Sequence, residues 1–258
     1  MPSSPFLPAD LLPTHCGIRT VTLGVATWAL ILTGLSAQAD EPTPGWQYKF
    51  TPSRYMTSGE TSGTDLNLRA NTPGHTWWVG HYQRGAEFQQ TRVGYERTRA
   101  WAMGQWTLSL QAASHGFAGG SVSIQVGSDA VYGVLGYGRT NAQTYYNLNF
   151  DPNDAVTLGL GGHWQGHELS LAQVHDDRLH TGQRVTHLVW RYHRIPGQRL
   201  SVDLARKAGR AASDGPWLQG HSLSLSWDWS GHVVRLARDQ RVNFSDDTQT
   251  RVSLAWRF

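Results

Sequence analysis

The chain has 258 residues, of which 39% are hydrophobic, and a formal net charge of +3. So small a surplus argues against nucleic acid as a partner. After the N-terminal segment no stretch of about 20 apolar residues exists, which excludes a mature transmembrane helix.

The N-terminus reads as a targeting segment. Residues 21–35 (VTLGVATWALILTGL) form an apolar core, preceded by Arg19 and followed by Ala37-Gln38-Ala39. This is the order of a secretory signal peptide, with cleavage expected after Ala39, so that residues 1–39 are removed. The only cysteine, Cys16, lies within that segment, behind Pro13-Thr14-His15 rather than a small apolar triplet, so it is not in a lipoprotein processing context. The exported chain then has neither thiol nor disulfide and is stabilised by its fold alone. Processing removes Asp10 and Arg19 together, which leaves the net charge unchanged. Residues 40–64, with Trp46, Tyr48 and Phe50, are expected to form a periplasmic arm or a poorly paired first strand.

From Asp65 onward short alternating runs follow one another. In chain order the apolar members are Leu66/Leu68, Trp78/Tyr82, Thr91/Val93/Tyr95, Trp106/Leu108/Leu110 and Val122/Ile124/Val126. A run apolar on both faces follows at 131–137, then Tyr146/Leu148/Phe150, Val156/Leu158/Leu160, Leu169/Leu171 and Leu188/Trp190/Tyr192. Leu200/Val202/Leu204, Leu223/Leu225/Trp227/Trp229, Val234/Leu236 and Val252 to Phe258 complete the series. Period 2 wins over period 3.6 in nearly all of them, and no amphipathic helix is visible. Breakers separate the runs, among them Asn71-Thr72-Pro73-Gly74, Asp151-Pro152-Asn153-Asp154 and Ile195-Pro196-Gly197. The connections at 172–187 and 207–220 are longer, and the spacing leaves no room for an independent domain, a plug or a long lid. The count is about 14 strands, within a range of 12 to 16.

An all-β chain can bury its apolar face inside a soluble sandwich or turn it outward to lipid. The polar face decides between them. Ser121/Ser123/Gln125, Gln105/Thr107/Ser109/Gln111, Asn147/Asn149 and Ser222/Ser224/Ser226/Asp228 are small and mostly uncharged, and Lys49 and Lys207 are the only lysines. A soluble sheet surface carries more charge. Of the 12 tryptophans all but Trp28 lie beyond the targeting segment, many at strand ends, where an interfacial belt would place them. The last strand puts Val252, Leu254, Trp256 and Phe258 on one face and Arg251, Ser253, Ala255 and Arg257 on the other.

This closing strand, ending on an aromatic residue after alternating apolar ones, resembles that of bacterial outer-membrane β-barrel proteins. The resemblance covers Asp65 to Phe258 and specifies no subfamily. It implies a transmembrane antiparallel up-and-down β-barrel in the outer membrane of a Gram-negative envelope. It also implies lipid and the barrel-assembly machinery as partners, with Val252, Leu254, Trp256 and Phe258 as the assembly signal. With Phe258 at the periplasmic side, the turns at Trp229-Ser230-Gly231 and Ile195-Pro196-Gly197 are periplasmic and the 207–220 loop is outside. On the same count Asp65 begins its strand on the periplasmic side.

Several residues are candidates for chemistry. The register turns Asp65, Arg69, Arg92, Glu96, Arg191, Asp203, Asp228, Arg235, Arg251 and Arg257 inward, a slightly basic lumen. Such a lumen either biases small anions or is merely filled by salt bridges. His175, Asp176, Asp177 and His180 have the donor chemistry of a divalent-cation site, but their loop reads better as solvated and polar, so no metal is expected. His163 and His167 flank a tight turn. Outer-membrane lipid hydrolases set a His and a Ser side by side; here adjacent Ser114 and His115 point to opposite faces, and Ser121 lies across a turn. No Gly-x-Ser-x-Gly elbow occurs, and no catalytic residue or cofactor is assigned. The leading expectation is a narrow porin-like passive channel for small hydrophilic solutes, anions among them. The rivals are a lipid-modifying hydrolase and a non-conducting structural or export-accessory barrel. Solute and oligomeric state are not legible.

Overall fold

In a strand successive side chains take opposite faces, so a chain of alternating apolar and polar residues can close on itself with one face entirely outward. The computed structural model describes residues 45–128, 130–149, 151–193 and 195–258. The expected signal peptide lies outside the described residues.

Among the described residues the strands are β1 (Gln47–Thr57), β2 (Gly63–Thr72), β3 (His75–Arg84), β4 (Phe88–Trp101), β5 (Gly104–Ala113), β6 (Phe117–Gly127) and β7 (Val131–Thr140). They continue with β8 (Ala155–Trp164), β9 (His167–Asp176), β10 (Arg184–Tyr192), β11 (Gln198–Gly209), β12 (Leu218–Trp229), β13 (His232–Gln240) and β14 (Thr248–Arg257). All 14 pair antiparallel with their sequence neighbours, and β1 pairs with β14 to close the barrel.

The closure corrects one expectation. The segment expected as an arm or poorly paired first strand is β1, paired on both edges: Phe50 lies opposite Trp256 on one side and Leu68 on the other. Tyr48 and Phe258 exchange backbone hydrogen bonds at 2.8 and 3.0 Å, and their rings stack at 5.8 Å. The β1–β14 register skips Thr51 and Pro52 and resumes at Ser53↔Ser253, because Pro52 has no N–H to give the ladder. With β1 in the barrel, the chain direction of β2 reverses. Asp65 lies near the end opposite the termini, not at the terminal end where the count placed it.

Tyr146/Leu148/Phe150 is the second correction. Residues 145–148 form no strand; they belong to the 141–154 connection between β7 and β8, and Tyr145, Tyr146, Asn147, Leu148, Asp151, Asn153 and Asp154 are buried. One strand gained and one lost leave the number unchanged. The connection folds into the barrel interior, where Gln90 of β4 holds it.

The two barrel ends differ. At the terminal end the connections are 73–74, 102–103, 128–130, 165–166, 193–197 and 230–231. At the other end they are 58–62, 85–87, 114–116, 141–154, 177–183, 210–217 and 241–247, and these are called here the long-loop end.

The outer wall is apolar. Leu66, Leu110, Leu135, Leu158, Leu160, Leu171 and Leu236 are all exposed, Leu160 to 68%. Full burial of such a side chain is worth roughly 1.5–3 kcal/mol, so a wall of them is tolerable only against hydrocarbon. Near the terminal end the wall turns aromatic. Trp46 meets Trp77 at 5.2 Å, Trp77 meets Tyr95 at 5.4 Å, and Trp227 meets Trp229 at 4.4 Å. His167 stacks between Trp164 and Trp190 in the same belt. Rings that are apolar in body and polar at the tip suit the headgroup level.

Candidate functional site: the lumen and its infolded loop

The inward positions are crowded by large side chains that only glycine neighbours permit. A Cβ on Gly161 would collide with the Tyr132 ring, and one on Gly80 with the Arg92 guanidinium. What remains is a cavity of about 430 Å³ between the strand wall and the infolded loop.

The loop is tied across the interior. The Gln90 amide donates to the Tyr146 carbonyl and accepts from its N–H, both at 2.9 Å, so β4 grips the backbone from both sides. The Tyr146 ring stacks on Tyr82 at 5.1 Å, and its hydroxyl lies 3.3 Å from Gln249 Nε2. Burial pushes the Tyr146 phenol above its ordinary value, so it stays neutral. Further along, Arg251 donates to the Leu148 carbonyl at 3.4 Å and Asn243 to the Asn147 carbonyl at 3.3 Å. His187 stands between two carboxylates, with Nε2 at 3.0 Å from Asp151 of the loop and Nδ1 at 3.0 Å from Asp203 of the wall. At the loop's end Asp154 accepts from the Thr140 hydroxyl at 2.6 Å and from Arg178 at 2.7 Å. The loop thus crosses from β7 and β8 to β3, β4, β14 and the β13–β14 connection and narrows the lumen.

Of the sequence-read lumen charges, Asp65, Arg69, Arg92, Arg191, Asp203, Asp228, Arg235, Arg251 and Arg257 line the cavity. Glu96 does not line it and sits 3.7 Å from Arg69. The structure adds Lys49, Arg199, Lys207, His187 and Asp239 to the lining, and Glu168 beside it.

The inward carboxylates are engaged. Asp65 holds Arg92 at 2.6 Å, Asp239 holds Lys207 at 2.5 Å, and Glu168 accepts from Arg191 at 2.5 Å and Tyr132 at 2.8 Å. Asp228 accepts from Arg257 at 2.8 Å and Arg199 at 3.3 Å. Three cations differ. Among the described residues Lys49, Arg235 and Arg251 form no ion pair. Arg251 lies over the Tyr55 ring at 5.7 Å, and its Nε has no partner among the described residues. The register gathers these groups: Ala237 faces Arg251 while Arg235 faces Ser253, and Lys49 faces Arg257 on one side and Arg69 on the other. The wall from β13 through β14 and β1 to β2 is a basic stripe.

The other candidates fall elsewhere. Asp176 accepts from the backbone N–H groups of Arg178, Leu179 and Thr181 at 3.0, 2.9 and 3.0 Å, so it braces its loop, and Asp177 pairs with Arg139 at 2.7 Å. Among the described residues no group of three or more His, Cys, Asp or Glu is arranged to hold a metal ion. Ser114 and His115 lie in a 3₁₀ turn, where Ser114 Oγ accepts from the Thr91 N–H at 3.2 Å. That turn joins β5 to β6 at the long-loop end. Ser114, His115 and Ser121 form no hydrogen bond with one another among the described residues.

Closed strand order, outward apolar wall and polar lumen together decide the class. The fold is that of bacterial outer-membrane β-barrels. No family model matches the chain, and no curated protein does. Among solved structures, the outer membrane protein Omp33 of Acinetobacter baumannii superposes with a TM-score of 0.54 at 10% identity, covering 83% of this chain and 98% of that one. The KdgM porin gives 0.48 at 12% identity, covering 81% of this chain and 98% of that one. A substituted Rh. blastica porin gives 0.49 at 8%, covering 83% and 99%. Only the first is near enough to bear on the fold.

Proposed function

We propose that this barrel is a narrow passive channel of the outer membrane for small hydrophilic solutes, with a preference for anions. One observation carries the preference: the inward carboxylates are held by cations or hydrogen-bond donors, while Lys49, Arg235 and Arg251 face the cavity without an ion pair among the described residues. In a lumen with low-dielectric walls, uncompensated cations raise the local concentration of anions and repel cations. The strand number supports an opening, since 8-stranded barrels are filled by side chains and those of 16 to 18 strands leave wide aqueous channels. The buried loop makes the opening narrow. Export through the signal segment cleaved after Ala39, with insertion by the assembly machinery, belongs to the same proposal.

The test is single-channel recording in a planar bilayer under a potassium chloride gradient. The expected result is discrete conductance steps with a reversal potential of the sign for chloride preference. Absence of conductance from well-folded protein would remove the channel reading, and a potassium preference would remove the anion reading alone.

A further inference from the structure

The outer wall carries a second charge pattern that conduction does not use. Every acidic residue on a strand faces inward or pairs there: Asp65, Glu96, Glu168, Asp176, Asp203, Asp228 and Asp239. The outward positions of the strands therefore hold no carboxylate, yet they hold arginines. Near the long-loop end, exposed His175, Arg184, Arg206, His221, Arg238 and Arg54 lie on β9, β10, β11, β12, β13 and β1.

The register makes them one row. His175 is directly opposite Arg184, and Arg206 directly opposite His221. Arg206 faces Thr186, two residues from Arg184; Arg238 faces Leu223, two residues from His221. Arg238 also faces Thr250, and Arg54 faces Val252, so the row crosses β14 by one diagonal step. Diagonal neighbours of this kind are about 7–8 Å apart, within reach of one ligand for long side chains. Near this end the other half of the barrel presents the uncharged Thr64, Gln83, Gln89, Ala112, Ala118 and Val156, and on β7 Arg139, which Asp177 neutralises.

These arginines are free to bind. Arg139, Arg178 and Arg241 near the same end each pair with an aspartate, but among the described residues Arg54, Arg184, Arg206 and Arg238 form no ion pair. Their contacts are neutral: Arg54 donates to Thr64 at 2.9 Å, Arg206 to Gln219 at 3.4 Å, and Arg184 lies 5.9 Å from the Trp217 ring centre. Exposed Leu204, Leu223 and Leu236 come two residues below Arg206, His221 and Arg238 on their strands. The row therefore sits where the apolar wall ends, at the level of lipid headgroups.

We infer that this face of the barrel is a docking row for the phosphate groups of an anionic lipid in the surrounding leaflet. Guanidinium groups match phosphate in a bidentate fork, and several spaced along one line suit a headgroup with more than one phosphate. A second copy of the chain fits worse, because a two-fold contact would set this basic row against itself. The inference rests on the membrane-barrel fold and not on conduction.

Native mass spectrometry of the full chain folded in neutral detergent micelles tests it, with diphosphorylated lipid A, phosphatidylcholine and inorganic phosphate as probes. Wild type is expected to retain lipid A over phosphatidylcholine by about tenfold. The triple variant R54Q/R184Q/R206Q, none of whose positions lines the cavity, should lose most of that preference with unchanged conductance. R97Q/R99Q, outward arginines near the terminal end, should keep it, and R206K should retain more than R206Q should the triple variant fold poorly. Equal retention of both lipids, undiminished retention by the glutamine variants, displacement by inorganic phosphate at matched phosphate concentration, or a second protein copy in place of lipid would each overturn the proposal.

Discussion

Arg251 and Asp228 act in opposite directions on the same field. Arg251 has no ion pair among the described residues and faces the cavity, so Arg251→Gln should lower anion preference while leaving the barrel folded. Asp228 neutralises parts of Arg257 and Arg199, so Asp228→Asn should raise it. Both shifts are read as reversal potentials in a salt gradient. They should be largest at 0.1 M salt, where the screening length is about 10 Å, and should shrink toward 1 M, where it is about 3 Å. A pair of shifts of the same sign would mean that these side chains alter pore width rather than field.

At the scale of the element, the 141–154 loop sets the width. Replacing residues 143–149 by a Gly-Ser linker removes the Gln90, Tyr82 and Arg251 attachments and should raise unitary conductance. His187→Leu, which cuts the link to Asp151, should give noisier openings with a smaller mean change. Heat-modifiable migration on gels checks that both variants remain folded; a linker variant with unchanged conductance would place the constriction elsewhere. This loop was the least legible part of the sequence. Tyr146 and Leu148 alternate with Asn147 and Asn149 just as a strand does, and no local pattern tells a strand from a segment buried on both sides. The strand walls were legible, since Leu169/Leu171 outward already implies Glu168 inward and Leu188/Trp190 already implies His187 inward. Glu168 and His187 flank these apolar runs, where the alternation is carried by a single neighbour and the inward face has the weaker signal. Lys49 was hidden with β1, where Pro52 weakened the strand signal.

For the molecule as a whole the decisive question is which face meets hydrocarbon, and two adjacent residues of β12 pose it. Leu225 is outward and 40% exposed, while Ser224 lines the cavity. Leu225→Arg sets a guanidinium against lipid near the midplane, a cost of roughly 2–4 kcal/mol and a large share of typical stability. Folding yield into vesicles should fall. Ser224→Arg places the same group in the lumen, directly opposite Asp203 on β11, and should fold normally while changing conductance. A soluble sandwich would give Leu225→Arg the same damage but leave Ser224→Arg silent in every assay. The end of the chain offers a second discriminator. Phe258 is 72% exposed, and removing one such aromatic from a soluble edge should cost no more than about 0.5–1 kcal/mol. Its backbone nevertheless exchanges both closing hydrogen bonds with Tyr48, and its ring stacks on that of Tyr48. Deleting Phe258 therefore takes away the last rung of the seam between β1 and β14 and the residue that resembles an assembly signal. The expected outcome is a large drop in outer-membrane level with little change in the thermal stability of the protein that does assemble. Normal membrane levels of the truncated chain would show that closure and targeting do not depend on this residue.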